Sequence, residues 1–223
     1  MKEFFQINFH GDSTLVIEFG KDIDVEINKL LQFVFSKIEK DLYKNFFIKD
    51  IYPTYNSLVI NYDNLSIDYQ LLKQKIEIAI SEIINNYEKN LQSEKIIEIP
   101  VKYGGEFGPD LHIMSKKLNI SENNIIKIHS SVTYRIFMIG FMPGFPYLGG
   151  LDERISFPRL STPRVKVPAG SVGIAGKQTG IYPFESPGGW NIIGRTELSL
   201  FDVDSNPPSL LSNISELRFV KYD

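Results

Sequence analysis

The uneven placement of glycine and proline is the feature that most constrains how this chain folds. Of the 16 Gly and 12 Pro among its 223 residues, 14 Gly and eight Pro lie between positions 104 and 194. Gly permits positive φ and Pro fixes φ, so both residues favour tight turns over long helices. The preceding part of the chain is rich in Ile, Asn, Lys and Leu instead. This shift in composition predicts two domains, over residues 1–94 and residues 95–223.

The first domain has the pattern of a small sheet covered by helices. The predicted strands, in two antiparallel pairs, are Phe4–Phe9, Thr14–Phe19, Phe47–Tyr52 and Ser57–Tyr62. The first pair flanks the turn residues Gly11 and Asp12, which is a hairpin signal. Apolar residues spaced by three or four predict one amphipathic helix over residues 23–42, capped by Asp22 or Asp24, and a second over residues 72–87. Two hairpins, each followed by a helix, predict an α+β fold.

The second domain has short strands interrupted by frequent turns, a pattern that favours a closed barrel or a sandwich. Two short helices are predicted at its start, over Asp110–Lys117 and Ser121–His129, the second capped by Ser121. The predicted strands are Ile96–Val101, Tyr134–Phe141, Val165–Pro168, Ser171–Ala175, Asn191–Gly194 and Leu198–Phe201.

Composition excludes several classes of function. Hydrophobic residues make up 43% and charged residues 23% of the chain, which is the globular range. A net charge of −3 without a basic stripe argues against a nucleic-acid partner. The absence of Cys excludes disulfides, thiolate metal sites and a Cys nucleophile. The three His lack metal-ligand spacing, so we expect no metal site. No secretory signal or membrane-spanning run is present, which predicts a cytosolic protein.

One segment resembles a phosphate-binding loop without meeting its requirements. Five residues separate Gly170 from Gly176, where the motif needs four, and Gln178 stands where Ser or Thr binds magnesium. We interpret the segment as a barrel hairpin with turn glycines.

His129 is the first candidate for chemistry. It ends a predicted helix, where the helix dipole favours an imidazolium, and a His near neutrality can transfer protons. A structural His bonded to a carbonyl group is the alternative, and the spacing alone leaves both open.

Two further segments place unusual residues close together. Aromatic side chains alternate with Gly and Pro over Phe141–Gly150, which is typical either of a pocket wall or of a loop that plugs a barrel. Next, Arg159, Arg164 and Lys166 form a basic cluster suited to a carboxylate or phosphate, although solvated surface charges are the alternative. Trp190 follows Pro-Gly-Gly, so it lies either in a loop or in the core.

The order of the Gly/Pro-rich motifs is specific. The segments that carry it are Pro100–Leu111, His129–Arg135, Gly140–Leu151, Thr162–Pro183, Ser186–Trp190 and Ile193–Thr196. On these segments the chain resembles the 5-oxoprolinase B-subunit family (PxpB), also called KipI or allophanate hydrolase subunit 1. The resemblance implies an α+β N-terminal domain followed by an all-β, cyclophilin-like barrel. Likeness to the cyclophilin fold does not imply prolyl isomerase activity.

The resemblance also implies a function that depends on partners. The family's enzyme cleaves 5-oxo-L-proline to L-glutamate with ATP as co-substrate, and its B component works only together with the A component and the KipA-like C component. Since the chain has no nucleotide motif, we expect ATP to bind with one of these partners. Two alternatives remain: inhibition of a sporulation-type histidine kinase, and a carboxyltransferase-like role in urea or allophanate metabolism.

The chemistry of a lactam determines which chemical groups the site needs, and the resemblance supplies the positions of the residues that carry them. A five-membered lactam is a poor electrophile, so the site needs a cation for the carboxylate, a proton carrier and donors toward developing negative charge. We assign these roles, in that order, to Arg164 or Lys166, to His129, and to Gln178 with nearby backbone N–H groups. We expect His129, Arg164 and Gln178 in one shared cleft. The residues expected to bind substrate are Arg135, Phe145, Lys166, Tyr182, Ser186, Gly188, Gly189 and Trp190.

Overall fold

The chain forms two compact units, Met1–Ser93 and Glu94–Asp223. A computed structural model describes residues 5–42, 47–87, 95–212 and 214–222. Each unit encloses its own cluster of buried apolar side chains. Among the helices of the described ranges, none has the length and apolar character needed to cross a lipid bilayer.

The first unit contains a four-stranded antiparallel sheet with the strand order β1-β2-β4-β3. Its strands are β1 (Gln6–His10), β2 (Thr14–Glu18), β3 (Ile48–Pro53) and β4 (Ser57–Tyr62). His10 pairs with Thr14 across the turn, which confirms the predicted hairpin. Phe4, the first residue of the predicted strand Phe4–Phe9, lies outside the described residues.

Two helices complete this unit, α1 (Val25–Leu42) and α2 (Tyr69–Asn85). The Asp24 carboxylate accepts hydrogen bonds from the backbone N–H groups of Glu26 and Ile27, at 2.8 and 3.0 Å. Of the two predicted caps, Asp24 is therefore the one that satisfies the free N–H groups of the first turn. Apolar side chains of both helices are buried with those of the sheet, which confirms the predicted α+β fold.

A closed barrel of seven strands forms the centre of the second unit, as the sequence predicts. In barrel order its strands are β10 (Gln178–Ile181), β7 (Pro146–Gly149), β6 (Thr133–Ile139), β13 (Glu216–Lys221), β5 (Ile96–Tyr103), β12 (Asn191–Arg195) and β9 (Ser171–Ala175). Neighbouring strands are antiparallel except β13 and β5, which run parallel. Helices α3 (Leu111–Leu118) and α4 (Glu122–Ser130) lie between β5 and β6 in the chain.

A separate two-stranded ladder joins β8 (Arg164–Val167) to β11 (Ser186–Gly188). The interpretation of the glycine-rich segment as a hairpin is confirmed, because β9 and β10 pair around Gly176, whose φ is +59°. The predicted strand Leu198–Phe201 is wrong, since within it only Phe201 forms a bridge, to Ser209.

The wall formed by β9 and β10 separates two environments. Side chains alternate between the faces of a strand, so neighbours along the chain point in opposite directions. Ile174 belongs to the main core, whereas Ala175 packs with an aromatic cluster on the other face. This alternation decides which predicted site residues can meet.

Candidate functional site

His129 lies in the main core of the second unit, with no exposed surface. Its ring stacks on Phe219, with centroids 4.5 Å apart. Its Nδ1 is 2.8 Å from the Tyr103 hydroxyl, and its Nε2 is 2.9 Å from Thr179 Oγ1. Neither ring nitrogen contacts a carbonyl, so the structure differs from both interpretations of the sequence.

Donor counting fixes the tautomer of His129. The Thr179 hydroxyl has one hydrogen and donates it to the Gly173 carbonyl at 2.9 Å. The hydroxyl must therefore accept from His129, so Nε2 carries the proton and Nδ1 accepts from Tyr103. Burial lowers the pKa of His129 from 6.5 to about 3, so the ring is neutral at physiological pH.

The expected shared cleft of His129, Arg164 and Gln178 is wrong. Thr179 points inward to His129, so its chain neighbours Gln178 and Gly180 belong to the opposite face of the wall. A side chain with no exposed surface has no contact with a substrate, which argues against a proton-carrier role for His129.

An aromatic cluster covers the outer face of this wall and is made of Phe145, Tyr147, Tyr182 and Trp190. Phe145 is at its centre, with edge-to-face contacts to Tyr182 at 5.3 Å and Trp190 at 5.5 Å. Such tilted pairs bring ring edges against ring faces, the favourable arrangement for aromatic quadrupoles. Burial raises the pKa of both Tyr147 and Tyr182, so both phenols stay protonated.

Glycine makes this packing possible at two positions. A Cβ on Gly180 would lie 3.0 Å from both Phe145 and Trp190, and a Cβ on Gly188 would lie 2.4 Å from the Tyr182 hydroxyl. These glycines let the backbone approach the rings closely. Gly188, predicted to bind substrate, therefore has a structural reason for its identity.

The aromatic residues of the Phe141–Gly150 loop differ in exposure. Phe145 and Trp190 are buried and belong to a core, as does Tyr182. Phe141, in contrast, is 65% exposed with a φ of +68° and contacts Phe145 edge-on at 5.7 Å. The predicted substrate contacts of Phe145 and Tyr182 are not supported, because each ring is only 1% exposed.

Arg164 is held by a buried carboxylate. Its guanidinium donates to Asp110 at 2.5 Å and to the Trp190 carbonyl at 3.4 Å. The other Asp110 oxygen accepts from the Ile192 backbone N–H at 2.6 Å. Asp110 thus joins the start of α3 to β8 and β12, and it neutralises the cation predicted to bind substrate.

The two other basic residues of the cluster differ from each other. Lys166 forms an exposed ion pair with Glu185 at 2.8 Å. The Arg159 guanidinium lies over the Trp190 ring, 6.0 Å from its centroid. Among the described residues no carboxylate pairs with Arg159, so it is the cation of this surface with charge available for a ligand.

The remaining predicted residues lie at scattered positions. Arg135 is buried in β6, and the Ser186 hydroxyl donates to the Pro187 carbonyl at 3.2 Å. The Gly189 carbonyl accepts a hydrogen bond from the Leu160 backbone N–H at 2.8 Å, which ties the segment before β8 to the aromatic cluster. Over the residues that the structure describes, no three His, Asp or Glu side chains group closely enough to hold a metal ion.

Sequence reasoning missed Asp110, Thr179 and Tyr103. The helical pattern predicts Asp110 as part of a helix, whereas its position after Gly-Pro is typical of a turn. Thr179 and Tyr103 carry no motif, because their importance comes from contacts with residues distant in the chain.

Comparisons with known proteins agree with this fold. The model of the family "Carboxyltransferase domain, subdomain C and D" matches residues 5–211. The 5-oxoprolinase B subunit of Bacillus subtilis (strain 168) is 41% identical over 227 residues, covering 97% of this chain and 92% of that protein. The crystal structure of TTHA0988 is 30% identical with a TM-score of 0.81, and covers 94% of this chain. This chain spans only 40% of the length of TTHA0988.

The urea amidolyase of K. lactis shares the fold at 21% identity, with a TM-score of 0.75, over 98% of this chain and 15% of its own. The family model and the near full-length relative together show what the chain is related to. The chain belongs to the 5-oxoprolinase B-subunit family.

Proposed function

We propose that this chain is the B subunit of an ATP-dependent 5-oxoprolinase that cleaves 5-oxo-L-proline to L-glutamate and is active only with its partner subunits. The observation that carries the proposal is the 41% identity to a protein of that name over nearly the whole of both chains. A name that specifies one subunit supports dependence on others. ATP is the co-substrate and binds with a partner.

The position of His129 supports the dependence of this chain on partner subunits. The ring is enclosed and neutral, and its two nitrogens are occupied by Tyr103 and Thr179. Proton transfer to the lactam therefore falls to other groups, which we assign to the partner subunits. This chain contributes a binding surface.

Arg159 and the edge of the aromatic cluster form that surface. A guanidinium fork binds a carboxylate through two parallel hydrogen bonds, and 5-oxo-L-proline carries one carboxylate. The Trp190 ring beneath Arg159 limits the directions in which the guanidinium points. We propose that Arg159 replaces Arg164 as the residue that recognises the substrate carboxylate, because Arg164 is already neutralised by Asp110.

Reconstitution tests the dependence on partners. The three purified subunits are mixed with ATP and 5-oxo-L-proline, and glutamate formation is followed. We expect activity only when this chain is present. Full activity of the other two proteins without it would sink the proposal.

A pair of variants tests the role of Arg159. In the reconstituted complex, Arg159→Ala should raise KM for 5-oxo-L-proline about 10-fold or more, because a charge-assisted hydrogen bond is worth roughly 1.5–3 kcal/mol. Lys177→Ala is the matched control, since Lys177 is an exposed cation already paired with Glu153 and has no assigned role. Equal effects of the two variants on KM would refute a specific role for Arg159. Kinase inhibition, the alternative implied by the resemblance, stays a prediction.

A further inference from the structure

A second basic site lies on the barrel, apart from the residues of the aromatic cluster. A pocket of about 250 Å³ is lined by Pro100, Lys102, Arg195, Glu197, Leu198 and Tyr222. Three barrel strands supply it, because Lys102 belongs to β5, Arg195 ends β12, and Tyr222 follows β13. The Tyr222 N–H donates to the Val101 carbonyl at 3.0 Å, which fixes this wall of the pocket.

Two like charges face each other directly in this pocket. Lys102 and Arg195 are register partners on the antiparallel strands β5 and β12, so their side chains lie side by side on one face. Like charges placed directly opposite each other destabilise a sheet. The fold therefore accepts an unfavourable pair of charges at this position.

Aromatic rings hold the two cations in place. The Lys102 ammonium lies 5.7 Å from the Phe107 centroid and 4.9 Å from that of Tyr222. The Arg195 guanidinium lies 5.3 Å from the Phe107 centroid. Cation–π contacts orient both groups without neutralising them.

The carboxylate that lines the pocket does not balance the charge of its two cations. Glu197 forms an ion pair with Lys102 at 3.3 Å, and its side chain is 73% exposed. Among the described residues no carboxylate pairs with Arg195. Two cations and one carboxylate leave a net charge of about +1, with Pro100 and Leu198 as apolar walls.

We propose that this pocket binds a small organic anion, with a carboxylate or phosphate group between Lys102 and Arg195 and an apolar part against Pro100 and Leu198. A guanidinium beside an ammonium supplies the donors that an oxyanion accepts. Glu197 competes with the ligand for Lys102. The site involves none of the residues assigned to the proposed substrate surface, so either assignment can fail alone.

Side-chain NMR of the full-length chain, labelled with ¹⁵N-arginine, tests the proposal. The probes are 5-oxo-L-proline and L-glutamate for a carboxylate, and inorganic phosphate and ATP for a phosphate group. We expect the Arg195 Nε–H signal, assigned from the Arg195→Lys spectrum, to shift and saturate with at least one probe. The probe whose titration saturates the shift of this signal identifies the anionic group, and added salt should weaken its binding.

Three variants make the test specific. Lys102→Ala should weaken binding about 10-fold, as expected for the loss of one charge-assisted contact. Glu197→Gln should strengthen it about threefold, because removing an exposed ion-pair partner frees Lys102. Arg218→Ala, which removes an exposed cation paired with Glu98, is the matched control and should change nothing. No saturable shift with any probe, or an equal loss in the Lys102 and Arg218 variants, would overturn the proposal.

Discussion

Acid should destabilise the second unit through His129, well before its carboxylates are protonated. In the unfolded chain this His takes up a proton near its ordinary pKa of 6.5, whereas in the folded unit burial lowers the pKa to about 3. Between these two values the unfolded state binds one more proton than the folded state. The stability that depends on a neutral His129 is therefore fully present above pH 6.5 and is lost as the pH drops toward 3.

The size of the effect follows from the two pKa values. Protonation of a site with a pKa of 6.5 favours the unfolded state about 25-fold more at pH 5 than at pH 7, because the folded site stays neutral over this range. A 25-fold change in the unfolding equilibrium corresponds to about 2 kcal/mol. This loss is a substantial part of the roughly 5–15 kcal/mol that stabilises a typical protein.

The assay uses the single Trp of the chain, Trp190, which lies in the second unit and reports on its unfolding. Urea unfolding is followed by fluorescence at pH 7 and pH 5 for the wild type and for His129→Gln. The amide keeps a donor and an acceptor but does not titrate, so the variant should lose about 2 kcal/mol less on acidification. His112→Gln, at an exposed position of the same unit, is the control and should keep the wild-type loss.

Equal pH dependence in the wild type and His129→Gln would refute the reasoning. If the variant does not fold, NMR titration of the wild-type ring decides instead. We expect its Nε2–H tautomer to persist at pH 5. Protonation of the ring in the folded protein above pH 5 would contradict the enclosed network.

Two further variants test the contacts around the aromatic cluster, both measured by urea unfolding with Trp190 fluorescence. Asp110→Ala should cost about 1–3 kcal/mol, because it takes the buried carboxylate away from the Ile192 N–H and from the partly exposed Arg164 guanidinium, whereas Asp110→Asn should cost less since an oxygen remains for the Ile192 N–H. Gly188→Ala should cost about 1–3 kcal/mol through overpacking, because the new Cβ would lie 2.4 Å from the Tyr182 hydroxyl. Its neighbour Gly189→Ala is the control, since the nearest atom there is 3.6 Å away; an equal loss in both variants would contradict this explanation.

Local signals in the sequence determined much of the architecture. Apolar spacing located α1 and α2, turn residues located the first hairpin, and the dense Gly and Pro indicated a closed barrel or a sandwich. The strands that went unpredicted are β7, β10, β11 and β13. The first three have only three or four residues and contain Gly or Pro, so they lack a periodic signal. In β13, buried Leu217 and Phe219 alternate with exposed Arg218 and Val220, a pattern that would have revealed it.

The sequence by itself determined the family, the α+β character of the first unit and the set of polar residues in the Gly/Pro-rich half. Only the tertiary structure decided which of these residues meet. Neighbours in a strand point to opposite faces, so a shift of one position separates Thr179, bound to His129, from Gln178 on the outer face. Whether a cation is available to a ligand likewise depends on partners distant in the chain. Asp110 neutralises Arg164, whereas among the described residues no carboxylate pairs with Arg159 or Arg195. Contacts between residues 50 or more positions apart leave no local pattern in the chain, so folding alone reveals them.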